Sequence, residues 1–247
     1  MLTENKRGYL AELMDLACFI ELSRAKRQNI VVEMHLTEKS VFHFECRKCG
    51  VCCGSGLEIY LNSLDVWKLR NHLRMPSGET IEKYLSVERR AEYGSFPLCL
   101  IRHAEERCRF QDERLCSIHP ARPASCRLFP VTHLHGWDGK TFFELASDFD
   151  FCKGGEGAPE ITLESWLSAN SIADYEKVIE IQKSLTPLLR ARLKDSEMDF
   201  LFRILFDFDA ADGFPFRGEY PDDRWSAEAA LEWIERETLN FMAGIKK

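Results

Sequence analysis

Four cysteines fall within eight residues in the run CRKCGVCCG, as Cys46, Cys49, Cys52 and Cys53. Two-residue gaps let a tight turn aim successive sulfurs at one centre while backbone N–H groups point at the thiolates. Gly50 and Gly54 supply the backbone freedom that such turns need. Four further cysteines, Cys108, Cys116, Cys126 and Cys152, are spread more widely, and closing loops of that length adds little entropic cost. These eight are the candidate ligands. Four plus four thiolates suffice for two four-ligand sites, or for one cluster and one mononuclear ion, and the spacing does not choose between them.

Ten cysteines in one chain need a reason. The N-terminal residues carry apolar positions Leu10, Leu13, Met14, Ala17 and Ile20 at helical spacing between charges, without the apolar run and small-residue cleavage site of a signal peptide. No stretch approaches the roughly 20 apolar residues of a membrane span. A cytoplasmic location is expected, where structural disulfides are not sustained and metal ligation is the leading explanation for so many thiols. The net charge of −7, from 33 Lys and Arg against 40 Asp and Glu, leaves no positive field to favour nucleic acid or an anionic membrane.

A four-thiolate site carries net negative charge, so nearby cations support the assignment. Arg47, Arg109, Arg127 and Lys153 each directly follow a cysteine of the set, and Lys48 and Arg107 flank it. Cys52 and Cys53 are adjacent, and in extended backbone adjacent side chains point to opposite sides; the two are therefore expected to serve different centres.

Cys18 sits on the apolar stripe of the first helix, and Cys99, in FPLCLIRH, alternates with apolar neighbours as a buried strand does. Both are assigned to the core. His133 and His135 share one side of a predicted strand and read as ordinary strand histidines rather than a ligand pair. His119 lies between Cys116 and Cys126 within ligand reach, but is expected to pack. Asp207, Asp209, Asp212, Asp222 and Asp223 are read as solvated loop residues, and Phe200, Phe202, Phe206 and Phe208 as helix packing.

The runs CxxCxxCC at Cys46 to Cys53 and C(x7)CSIHPARPASCRLFP at Cys108 to Pro130 resemble the YkgJ-like cysteine-cluster proteins, described as zinc- or iron-chelating domains. The similarity covers roughly residues 44–155 and includes Arg122, Pro123, Cys126, Arg127, Phe129 and Pro130, with His119 where a tyrosine is usual. It implies a metal-binding module. A few relatives in that family, such as flagellin lysine methylases, are linked to protein modification.

Clustered CxxCxxC is the habit of iron–sulfur proteins, whereas structural zinc sites pair two short knuckles separated by a dozen or more residues. One or two iron–sulfur clusters, of the 4Fe–4S kind, are thus expected, with zinc as the alternative. The corresponding functions are a redox, sensing or electron-transfer protein; a zinc-stabilised protein-interaction module; or an accessory or enzyme in protein or peptide modification, which would take a protein partner or peptide substrate.

The expected fold is α+β and mainly helical, with a small loop-rich cysteine core organised more by metal than by apolar burial, and a β-hairpin. The expected division is a cysteine-cluster domain over 1–160 with an N-terminal helix, and a helical region over 161–247 packed on it or continuous with it. Helices are predicted from a Ser63 cap to about Arg74, from Thr80 to about Arg90, over ITLESWL, over IADYEKVIEIQKSLTPLLRARL with a break at Pro187, over MDFLFRILFDF, and from a Ser226 cap to about Met242. The hairpin is predicted over VTHLHGWDGKTFFEL, turning at Asp138-Gly139.

Overall fold

The computed structural model describes residues 35–54, 56–89, 97–104, 107–113, 115–135, 141–146, 152–170, 175, 177, 178, 181 and 193–245. Cys18, the N-terminal helix, the Asp138-Gly139 turn and the Pro187 break lie outside them, as does most of the helix predicted around that break. The described strands are β1 Val41–His43, β2 Tyr60–Leu61, β3 Leu85–Arg89, β4 Pro97–Ile101, β5 His103–Ala104, β6 Arg107–Cys108, β7 Gln111–Asp112, β8 Leu115–Cys116, β9 Val131–His135, β10 Thr141–Leu145 and β11 Glu160–Thr162. The helices are α1 Ser63–Leu73, α2 Ser77–Tyr84, α3 Ala124–Leu128, α4 Leu163–Ala169, α5 Asp195–Leu205 and α6 Arg224–Ile245. This is a mixed α+β chain. Among these residues no helix is long and apolar enough to cross a membrane.

β4 is the middle strand of a three-stranded antiparallel sheet ordered β2-β4-β3. It is buried on both faces, with Leu98, Cys99, Leu100 and Ile101 all in the core and Cys99 at 1% exposure, as the sequence pattern predicts. β3 is a correction, because a helix was expected to run on to about Arg90. The helix instead spans Ser77–Tyr84, and Leu85–Arg89 pairs with Pro97–Ile101. Only Leu85 is fully buried, and the residues after it are half-buried or exposed, so it is the pairing edge offered by β4 that makes this segment a strand. β9 and β10 form the expected hairpin, with His133 opposite Phe143.

Two helix starts also differ from expectation by a few residues. Asn62, not Ser63, caps α1: its side chain accepts the Asp65 N–H at 2.9 Å, and Asp65 accepts the Asn62 N–H at 3.1 Å. This reciprocal pair satisfies two N–H groups that the first turn would otherwise leave orphaned. At α6, Asp223 accepts the Ser226 N–H at 2.6 Å, which puts the cap at Asp223 and Ser226 inside the helix.

The larger apolar core gathers Trp67, Leu69, Leu98, Leu100, Phe110 and Ile118 with Leu201, Ile204, Phe208, Phe214 and Ile234. Helices from the end of the chain thus share one interior with the β2-β4-β3 sheet. A smaller core of Phe42, Phe44, Phe129, Val131, Ala146 and Leu163 lies under β1 and the hairpin. Cys108, Cys116 and Cys126 pack against the first and Cys152 against the second. Apolar burial therefore supports the cysteine turns on both sides, more than the expected loop-rich core allowed.

The acidic C-terminal loop is a further correction. Arg70, wholly buried on α1, makes a bidentate pair with Asp209 at 2.7 Å on both arms. Its remaining N–H groups reach Asn71 Oδ1 and the carbonyls of Glu219 and Phe216, and its guanidinium lies over the rings of Trp67, Phe214 and Tyr220. Asp207 accepts from the Ser77 hydroxyl at 2.9 Å. Burial alone would raise the Asp209 carboxyl, but its hydrogen bonds with Arg70 and the Ser77 N–H outweigh that and hold it below the usual range. These two aspartates are structural anchors, not solvated loop charges.

Candidate metal centre

The first cysteine segment follows β1, which pairs antiparallel with β11. Glu45 N–H donates to the Gly154 carbonyl at 2.9 Å, continuing that contact towards the cysteines. Gly154 fits there because it lacks a side chain: a Cβ would run into the Phe44 ring. Phe44 itself packs edge-on against Phe129 and Trp166, with ring centroids 5.7 and 5.5 Å away. The two ends of the cysteine region, at Cys46 and Cys152, are thereby held close.

Between them the chain turns sharply, with positive φ at Lys48 (51°) and Gly50 (72°), the latter matching the freedom read from the sequence. Cys52–Gly54 is a short helical turn, fastened by Gln111, whose side chain donates to the Gly50 carbonyl at 2.9 Å. The expectation for the vicinal pair assumed extended backbone, whereas these residues form a short helical turn. The Cys52 and Cys53 sulfurs lie 3.9 Å apart, so the geometric ground for assigning them to different centres falls.

Cys108 ends β6, Cys116 ends β8, Cys126 lies in α3 and Cys152 precedes the short helical turn Lys153–Gly155. Asp65, which belongs to no cysteine motif, positions one of these. Its carboxylate accepts the Ala124 N–H at 2.8 Å, tying the start of α3 to α1. Burial pushes this carboxyl up to about 6 even against hydrogen bonds from Asn62 and Ala124. The sequence signal was available as Asn62-Ser-Leu-Asp65, a capping box in which the second carboxylate oxygen stays free for another partner.

All eight candidate cysteines line one cavity of about 400 Å³. Its wall also includes the cations Arg47, Lys48, Arg122 and Arg127, the histidines His103 and His119, and apolar Phe44, Ile59, Ile101, Ile118, Phe129 and Trp166, but no Asp or Glu. Arg122 donates to the Cys46 sulfur at 3.8 Å. Cys99 and His133 are not part of this wall; His133 stacks on Phe143 with ring centroids 4.3 Å apart. None of the nine described cysteines is in a disulfide. Among the described residues no three His, Cys, Asp or Glu side chains stand close enough to hold one ion as placed.

The donor set suits a thiophilic metal. Cys116 accepts a backbone hydrogen bond from Ile118, Cys152 from Gly154, and Cys108 from Phe110 and Gln111, the turn geometry that favours thiolate. Burial nevertheless outweighs these bonds and holds all three thiols above the ordinary value of 9.0. The Cys52 thiol is raised too, first by its hydrogen bond with Cys53 and then by burial. His119 is lowered, by burial and then by the nearby charges of Arg122 and Lys48.

At neutral pH these thiols therefore keep their protons, and a bound cation must displace them. Metal affinity is expected to rise with pH towards the raised thiol values, and loading at pH 7 to release protons, measurable with an indicator dye in weak buffer. Loading without proton release would contradict ligation by these thiols. In the metal-free chain the dependence is opposite: folding raises the thiol values, so stability is lost as pH climbs past the ordinary 9.0.

Residues 45–152 match the CxxCxxCC family model, described as "Putative zinc- or iron-chelating domain". The match supports metal binding in general and spans all eight candidate cysteines, from Cys46 to Cys152. Comparison with curated proteins and with solved structures gave no match.

Proposed function

We propose that this zinc- or iron-chelating segment holds an iron–sulfur cluster and serves a redox role, in electron transfer or oxidant sensing. The observation that carries this reading is the convergence of eight cysteines, from three separate stretches of chain, on one cavity. The clustered CxxCxxC spacing of Cys46, Cys49 and Cys52 favours iron–sulfur over zinc, whose structural sites pair two well-separated knuckles.

When bound, such a cluster supplies one-electron chemistry whose potential follows its charge, its hydrogen bonds and its exposure. The chain sets each of these. Arg47, Lys48, Arg122 and Arg127 offset the negative charge of the thiolates, and the N–H groups of Phe110, Gln111, Ile118 and Gly154 hydrogen-bond to the sulfurs. Phe44, Ile118, Phe129 and Trp166 make part of the wall apolar.

Anaerobic purification tests the proposal. A brown protein containing iron and acid-labile sulfide is expected. A colourless protein with stoichiometric zinc would replace it with the zinc-stabilised interaction module, and redox or sensing work would be abandoned.

A further inference from the structure

We propose that His119 is a nitrogen ligand of the metal centre, making its donor set mixed sulfur and nitrogen. The inference deepens the metal-binding reading and rests on it. His119 lies in the short helical turn His119–Ala121, between the segments that carry Cys116 and Cys126, and is one of the residues lining the same cavity as the cysteines. Its Nε2 atom is buried and has no hydrogen-bond partner among the described residues. A ring nitrogen placed in that way forfeits its bonds to water without replacement, which folds avoid unless a ligand completes the site.

The surrounding wall leaves little else to complete it. The cavity lining contains no carboxylate that could take an imidazole proton. The turn is held in place by the Ala121 N–H on the Ile118 carbonyl at 2.8 Å and by the Ser117 hydroxyl on the Phe110 carbonyl at 3.0 Å, with Ile118 buried beneath it. Pro120 and Pro123 stiffen the same stretch. The backbone that carries His119 is therefore held firmly at the cavity wall. Neutral imidazole beside thiolates is a ligand set that zinc takes as three cysteines and one histidine, and that iron–sulfur centres also accommodate. His103 lines the cavity as well, but no nitrogen of its ring is buried without a partner among the described residues.

Cadmium NMR of the full chain tests this without depending on the native metal. The protein is labelled with ¹⁵N-histidine, stripped of metal and loaded anaerobically with ¹¹³Cd. A thiolate-bound resonance split into a doublet by one directly bonded ¹⁵N is expected. His119→Ala should collapse it to a singlet, His119→Cys should collapse it and shift it towards an added thiolate, and His103→Ala should leave it split. Singlets alone in the unmutated chain, or a doublet that survives loss of His119, would overturn the assignment while thiolate-bound cadmium still upheld metal binding. No thiolate-bound resonance at all would overturn both. A doublet in a protein found to lack iron and sulfide would sink the iron–sulfur reading and keep His119 as a ligand.

Discussion

Cys126→Ser is expected to strip the purified protein of most of its metal, while Cys99→Ser leaves metal content unchanged. Cys126 lies on α3, held at the cavity wall by the Asp65 carboxylate. A serine hydroxyl there is a poor donor to a thiophilic metal, and changes merely supporting a ligand already cost about 10- to 100-fold in affinity. Losing the ligand itself should exceed that range. Cys49→Ser should act in the same direction. Cys99 is 1% exposed in β4 and outside the wall, so its serine variant buries a hydroxyl at a cost of about 1–3 kcal/mol and alters stability alone. Elemental analysis of anaerobically prepared variants decides the matter. Equal metal in Cys126→Ser and Cys99→Ser would remove Cys126 from the centre.

Arg70→Ala is expected to destabilise the fold by about 3–5 kcal/mol, because it strands the partly buried Asp209 carboxylate without its partner. The double change Arg70→Met with Asp209→Leu should cost much less than the two single changes added together, since it removes both charges and keeps apolar volume beside Trp67 and Phe214. Denaturant titration of the three variants gives the comparison. Additive losses would mean that the pair is not coupled. Acid should mimic the single change: Asp209 is held below the usual carboxyl range, so its contribution is present above pH about 4 and disappears as pH falls through the depressed value.

What could be read from the residues in order was what neighbours in sequence determine. CRKCGVCCG predicts a tight turn lined with thiols, FPLCLIRH a buried strand and MDFLFRILFDF a helix; the turn and strand are found there, and the helix is found shifted, over Asp195–Leu205, with Phe206 to Phe208 beyond its end. The strand at Leu85–Arg89 was missed because its partner β4 is decided by tertiary pairing, not by local propensity. Arg70 and Asp209 are 139 positions apart, and nothing near either residue announces the other. The same holds for Gly154, whose missing side chain matters only because Phe44 arrives from the opposite end of the segment. At Cys52 and Cys53 the error was one of backbone: alternation was assumed, and a helical turn brings the sulfurs together.

The β1–β11 pairing has a bearing on how the protein is made. Cys152 and the strand Glu160–Thr162 emerge from the ribosome after the seven other candidate ligands. Until they do, the nascent chain offers an incomplete set of thiols with no wall to shield them from oxidants or stray ions. On the proposed ligand set, the donors for a cofactor are therefore complete only once the clasp has been made.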